Sequence, residues 1–171
     1  MRINIFVLAF WSLLMISGCS KNKDISKDLL PGRCRISCEI NGDVSLNFNS
    51  DDGYSFSAYN AVSMVLEPVV LNTTSGNKEH IALLVPVSIT AGTYDLSTAG
   101  APNISFSFTK ENLYAGVSKT WNATLGSNMT FIITKASYTE LEGTFSGTAT
   151  NTSDGSTITI TNAKFSAKFS H

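Results

Sequence analysis

The amino-acid sequence predicts an all-β protein: a single antiparallel β-sandwich, immunoglobulin-like or jelly-roll-like, of about eight to ten short strands. Apolar and polar residues alternate with period two through most of the chain after residue 33, which is typical of half-buried strands. Clusters of Gly, Asn, Asp and Ser separate the alternating runs, as turns do. No stretch keeps the 3.6-residue apolar period of an amphipathic helix. Hydrophobic residues at 43% and charged residues at 15% exclude a disordered chain.

The chain begins with the pattern of a secretory signal. Arg2 supplies a positive charge, and residues 3–15 form an apolar run that only Asn4 and Ser12 interrupt. The run is too short to cross a bilayer as a helix, because a spanning helix needs about 20 apolar residues.

The apolar run ends in Ile16-Ser17-Gly18-Cys19. This ending resembles a bacterial lipobox, in which the cysteine thiol is acylated and the signal is removed in front of it. The resemblance implies a lipoprotein signal peptide over residues 1–18 and a lipid anchor, palmitate included, on Cys19. It places the protein in the bacterial cell envelope, at the outer membrane, facing the periplasm or the cell surface. The alternative is an ordinary signal peptide that happens to contain a cysteine.

Residues 19–33 form the lipidated cysteine and a flexible tether, because this stretch is polar and charged and contains Pro31-Gly32 near its end. Residues 34–171 form the β-sandwich domain, a length that suits one domain. This domain has seven Lys and Arg residues against eleven Asp and Glu residues. Its mild acidity argues against nucleic acid as a partner, since phosphate binding needs a basic surface.

The first three predicted strands follow from alternation and turn chemistry. Asn41-Gly42 predicts a tight hairpin turn, and residues 50–53 predict a second turn. The residues expected to face the core are Cys34, Ile36, Cys38, Ile40, Val44, Leu46, Phe48, Tyr54, Phe56 and Ala58.

The later strands repeat this alternation. Residues 143–150 and 156–169 are expected to form the last hairpin around the loop 151–155. A bulge near Asn162-Ala163 is needed to keep the parity of this hairpin consistent. The later residues expected to face the core are Ile104, Phe106, Phe108, Phe145, Ile158, Ile160, Phe165 and Phe169.

The second half of the chain carries a further resemblance. The segments 91–96, 131–135, 141–149 and 157–166 are similar to the motif series of small, uncharacterised lipoproteins of Bacteroidetes-type bacteria. The resemblance implies an envelope location and a β-rich domain. It implies no activity and no catalytic residues.

Candidate catalytic and metal-binding residues are few. His80 is interpreted as a solvated residue at the end of a strand, and Glu140 and Glu142 as one solvated strand face, so no enzyme activity is expected. The acidic stretch 47–53 lacks the ligand spacing of an EF-hand and is interpreted as a turn, with a weak calcium site as the alternative. No cofactor and no metal are expected. Cys34 and Cys38 are expected to be buried thiols, because residues four apart on a strand lie too far apart for a disulfide.

Trp121 and Tyr114 are the candidate ligand-stacking residues. The alternation places Trp121 on the apolar face of its strand and Tyr114 on the other, so core packing of Trp121 is the competing interpretation. The function predicted is a non-catalytic binding or structural module at the envelope, with a glycan or protein as its ligand. The alternatives are a small β-barrel that carries an apolar ligand and, with less support, an envelope hydrolase.

Overall fold

The computed structural model describes residues 29–57 and 63–170, in which eleven β-strands and no helix are found. Every strand pairing is antiparallel, so the predicted all-β antiparallel class is confirmed. The finer assignment to a sandwich stays a prediction, and the predicted signal peptide, Cys19 and the predicted tether up to residue 28 lie outside the described residues. The end of the predicted tether is not free: Leu29 is buried, the Gly32 N–H donates to the Lys168 carbonyl at 2.7 Å, and Arg33 already belongs to β1. The strands are β1 (Arg33–Gly42), β2 (Leu46–Ser57), β3 (Ser63–Glu67), β4 (Val69–Asn72), β5 (Asn77–Pro86), β6 (Gly92–Asp95), β7 (Ser105–Asn112), β8 (Val117–Ala123), β9 (Met129–Ala136), β10 (Glu140–Thr150) and β11 (Thr157–Lys168).

Hydrogen bonding joins the strands into one sheet in the order β11-β1-β2-β3-β5-β7-β8-β10-β9-β6, and β4 pairs with β5. β10 also pairs with β11, the strand at which this order begins, so the hydrogen-bonded strands from β11 to β10 form a closed ring. The first strand therefore lies between the second and the last. In the described part of the chain, no helix has the length and apolar character needed to span a membrane.

Aromatic rings fill the centre of the curved sheet. Phe145 on β10 lies 5.4 Å from Phe106 on β7, 5.4 Å from Phe131 on β9 and 6.1 Å from Phe165 on β11, measured between ring centroids. The inner faces of strands that are not neighbours in the sheet thus pack together. Most residues predicted to face the core are buried: Cys34, Ile36, Cys38, Ile40, Phe48, Ile104, Phe106, Phe108, Phe145, Ile158, Ile160, Phe165 and Phe169. Val44 and Leu46 are partly buried against this core.

The turn predicted at residues 50–53 is wrong, because β2 continues through it. Cys34 pairs with Gly53 and Ile36 with Ser50, so two β2 residues oppose Arg35 in a bulge. The bulge reverses the parity and turns Tyr54, predicted to face the core, outward with 62% of its surface exposed. The side chain of Phe56 and the whole of Ala58 lie outside the described residues.

A second bulge, on β11, confirms the prediction at Asn162-Ala163. The register of β11 shifts against both β1 and β10 at this point. Asn162 adopts a left-handed conformation with φ 53°, which asparagine tolerates better than most residues. Asn162 consequently faces solvent, and Ala163 and Phe165 both face the core.

The predicted hairpin of β1 and β2 is present, but its loop is longer than a two-residue turn at Asn41-Gly42. Ile40 pairs with Leu46, and Gly42 remains in β1 opposite Ile158 of β11. A Cβ atom on Gly42 would lie 2.7 Å from the Thr157 carbonyl oxygen, so pairing with β11 requires glycine here.

Three hairpins share one loop of the form Asn-x-x-x-Gly, at residues 72–76, 112–116 and 151–155. In each loop the Asn side-chain oxygen accepts hydrogen bonds from the backbone N–H groups two and three residues later. The closing glycines have φ values of 68°, 64° and 73°. Only the last of these three loops was predicted from the sequence.

Candidate functional site

A hollow lies on the outer face of the sheet around the β11 bulge. Its volume is about 720 Å³, and its lining comes from β1, β9, β10 and β11. A smaller hollow of about 290 Å³, reaching β2, shares Ser37, Glu39 and Asn162 with it. We call the two together the outer trough, defined by the outward side chains of Ser37, Glu39, Asn47, Asn49, Thr130, Ile132, Thr144, Ser146, Thr161, Asn162 and Lys164.

Strand pairing holds these side chains in rows across the sheet. Ser37, Lys164 and Thr144 are opposite one another on β1, β11 and β10, and Thr144 is opposite Ile132 on β9. Most of the lining groups are therefore fixed by central strands rather than by loops.

Most side chains that line the outer trough end in a polar group, and their formal charges cancel. Glu39 and Lys164 contribute one charge of each sign, and the Thr161 hydroxyl donates a hydrogen bond of 3.4 Å to Glu39. The remaining polar groups are hydroxyls and amides, which both donate and accept hydrogen bonds. Ile132, with 46% of its surface exposed, supplies an apolar part of the floor.

The structure does not bring the two candidate stacking residues together. Trp121 is fully buried, with its ring stacked 5.7 Å from Phe108 and its indole N–H donating to the Ser156 hydroxyl at 3.2 Å. Tyr114 has 75% of its surface exposed in the loop between β7 and β8. The core-packing interpretation is confirmed for Trp121, and its indole face is closed to a ligand.

Tyr114 joins two hairpin tips. Its hydroxyl donates to the Thr73 carbonyl at 2.7 Å, its ring covers Gly76, and the Leu113 N–H donates to the Gly76 carbonyl at 2.8 Å. We call this region the joined tips. The exposed apolar residues Leu71, Leu113 and Val117 lie on or beside it. This surface was not predicted from the sequence, although the repeated Asn-x-x-x-Gly pattern at residues 72 and 112 indicates two equivalent loops.

The candidate acid–base residues lie on separate parts of the sheet. His80 is half-buried within β5, opposite Val69 and Thr109, and not at the end of a strand as the sequence suggested. Glu140 and Glu142 share one ammonium partner, Lys135, at 2.6 and 3.5 Å. The hydrogen bond to Glu140 is the main cause that raises the pKa of Lys135. These two glutamates therefore form part of a surface ion-pair group.

The acidic stretch 47–53 belongs to β2 and its bulge, where Asp51 lies 3.8 Å from the Arg35 guanidinium. Within the residues that the structure describes, no group of three or more His, Cys, Asp or Glu side chains could hold a metal ion.

Cys34 and Cys38 are buried thiols and no disulfide joins them, as the sequence predicted. The Cys34 thiol donates to the Tyr54 carbonyl at 3.0 Å. Burial raises the pKa of Cys38 to about 12. Both side chains point into the core, where a thiol behaves as a small apolar group.

A charged cluster ties two loops to β8. The Lys119 ammonium lies 2.5 Å from Asp43, after β1, and 2.8 Å from Asp154, before β11. The Lys119 hydrogen bond is the main cause that lowers the pKa of Asp154 to about 2, and hydrogen bonds from Ser156 add to it. Because β1 begins at Arg33 and ends at Gly42, just before Asp43, this cluster lies at the end of the domain away from Arg33.

Comparisons of the chain with protein-family models, with curated proteins and with solved structures found no match. The resemblance to Bacteroidetes-type lipoproteins stays a prediction.

Proposed function

We propose that this chain is a lipid-anchored protein of the bacterial cell envelope, attached through Cys19, whose β domain is a non-catalytic binding module. The apolar run and the small residues before Cys19 support the anchor. A lipobox cysteine carries several acyl chains, which suffices for anchoring because stable attachment needs more than one chain.

The outer trough is the observation that carries the binding role. It is a preformed concave surface with hydrogen-bonding groups on paired strands, as binding sites on rigid scaffolds are. Its two ionisable groups, Glu39 and Lys164, carry opposite charges, and the half-buried histidine lies on β5, outside the strands that form the trough. This lining suits recognition by hydrogen bonds better than acid–base or nucleophilic chemistry, which needs a nucleophile beside an oriented base.

The position of the trough fits display from a membrane. Ser37 and Glu39 lie four to six residues along β1 from Arg33, a distance of ~13–20 Å along a strand. Leu29 is buried against the domain, and a fully extended chain from Cys19 to Leu29 reaches at most ~36 Å. The tether therefore keeps the trough close to the envelope but lets it clear the lipid headgroups.

The interior gives less support to a carrier of apolar ligands. Such a carrier needs an enclosed space between its inner side chains. Here the rings of Phe106, Phe131, Phe145 and Phe165 occupy the centre, with neighbouring centroids 5.4–6.1 Å apart.

The anchor is tested by fractionation. The Cys19→Ser variant of the full chain should leave the membrane fraction, and the parent should remain in it. A variant that still fractionates with membranes would refute the anchor.

The binding role is tested with the full chain in detergent, on envelopes that were isolated from cells lacking the protein and then stripped of lipid with the same detergent. The acyl chains on Cys19 then do not contribute to binding. The full chain should bind these envelopes, and Thr144→Trp should abolish this binding by filling the trough. Ser107→Trp is the matched control, because Ser107 has the same outward position on β7, outside the trough. Equal envelope binding by parent and Thr144→Trp would refute the role of the trough.

A further inference from the structure

We infer that the outer trough binds a neutral glycan chain that runs across the strands. This inference rests on the proposed function and gives the chemical class of the ligand. It follows from the direction, the lining and the strand context of the trough.

The direction of the trough is perpendicular to the strands. Its lining residues come from five strands, β2, β1, β11, β10 and β9, each of which pairs directly with the next. Five strands spaced ~4.8 Å apart span ~19 Å. An elongated ligand such as a short oligosaccharide fits this length better than a single small molecule does.

The lining indicates a neutral, hydroxyl-rich ligand. Five hydroxyls and three amides face the trough, and each of them donates and accepts hydrogen bonds. Sugar hydroxyls have the same dual character. Glu39 and Lys164 cancel in charge, so the trough lacks the excess of cations that a sulfated or phosphorylated polymer would need. The exposed side chain of Ile132 offers an apolar contact for the C–H face of a sugar ring.

The strand context argues against a peptide ligand. An extended peptide usually binds by adding a strand to an open sheet edge. At the trough, β1 is paired with β11 and β2, β11 with β1 and β10, and β10 with β11 and β9. Ligand binding here must therefore rely on side chains.

Asn162 is the residue expected to matter most. It stands at the point where the two hollows meet, and the β11 bulge directs its side chain outward. A bulge re-aims a side chain in this way at many binding sites. Replacement by glycine removes the amide and keeps a residue that accepts a positive φ. The Asn162→Gly variant therefore removes the binding group without demanding a new backbone conformation.

The test is a binding titration of the full chain, solubilised in a detergent without sugar head groups. The probes are neutral oligosaccharides, sulfated and carboxylated oligosaccharides of matched length, and unrelated peptides. We expect binding of neutral oligosaccharides that falls at least tenfold in Asn162→Gly and is lost in Thr144→Trp. The control Ser107→Trp should bind as the parent does, and all variants should unfold at similar midpoints.

Three results would overturn the inference: no neutral oligosaccharide binds at millimolar concentration, only charged oligosaccharides or peptides bind, or binding is unchanged in both trough variants. Failure of the glycan assignment is distinguishable from failure of the proposed function. If envelopes still bind the parent but not Thr144→Trp, the trough is a binding site for another ligand class. If envelope binding is equally strong in both, the binding role itself is wrong.

Discussion

Phe165→Ala measures how strongly the last strand holds the core together. Phe165 has 1% of its surface exposed, its ring lies 6.1 Å from the Phe145 ring, and it covers Gly143, where a Cβ atom would come within 2.7 Å of it. The backbone at Gly143 is held by pairing on both sides and cannot collapse far into the resulting space. Loss of a buried phenyl group should therefore cost ~3–5 kcal/mol.

Lys164→Ala is the matched control, because Lys164 is the adjacent residue on the outer face of the same strand and is exposed. Its removal should change the free energy of unfolding by at most ~0.5 kcal/mol. Urea unfolding followed by circular dichroism gives both values, and the melting temperature of Phe165→Ala should fall on the order of 10 °C. Similar losses in the two variants would show that β11 does not have one buried and one exposed face.

Three further predictions concern the thiols, the joined tips and acid stability. Cys34 and Cys38 should resist alkylation at pH 8 in the folded protein, and both should react after unfolding without reductant. If neither thiol is alkylated and the mass is lower by two hydrogens, the two cysteines form a disulfide and the prediction is wrong. Gly116→Ala should lower the free energy of unfolding by ~1 kcal/mol, because its φ is positive. Gly76→Ala should lower it by ~2 kcal/mol in urea unfolding, because its methyl group also meets the Tyr114 ring. Equal losses in the two variants would contradict the contact with Tyr114. The pKa of Asp154 is lower in the folded protein than its ordinary value of 3.8. The ionised Asp154 therefore stabilises the folded state fully above pH 3.8, and this stabilisation is lost as the pH falls through about 2. Asp154→Asn should therefore lose less stability than the parent between pH 4 and pH 2, and identical losses would contradict the role of Lys119.

Alternation in the sequence predicted most of the core because each inward residue is specified locally. The β11 bulge was predictable for the same reason: Ile160 and Phe165 are both apolar but differ in parity, so one extra residue must lie between them. The β2 bulge was not predictable, because Asp51-Asp52-Gly53 has the composition of a turn as well as that of a bulge.

The outer trough could not be derived from the sequence. Ser37, Thr144 and Lys164 each appeared only as outward residues of separate strands. Their alignment depends on β1 pairing with β11 and β11 with β10, and the first of these pairings joins opposite ends of the chain. The joined tips were missed for a similar reason, because the hydrogen bond from Tyr114 to Thr73 links two hairpins that are distant in sequence.

The pairing of the first and last strands also affects when this protein can fold. Arg33 pairs with Lys168, so β1 has no partner on that side until β11 is available. Contacts between such distant residues slow folding, because a long loop must close before they form. Late closure suits the export that the proposed function requires: the polypeptide stays extended during translocation, and the sheet is completed only after β11 has emerged on the far side.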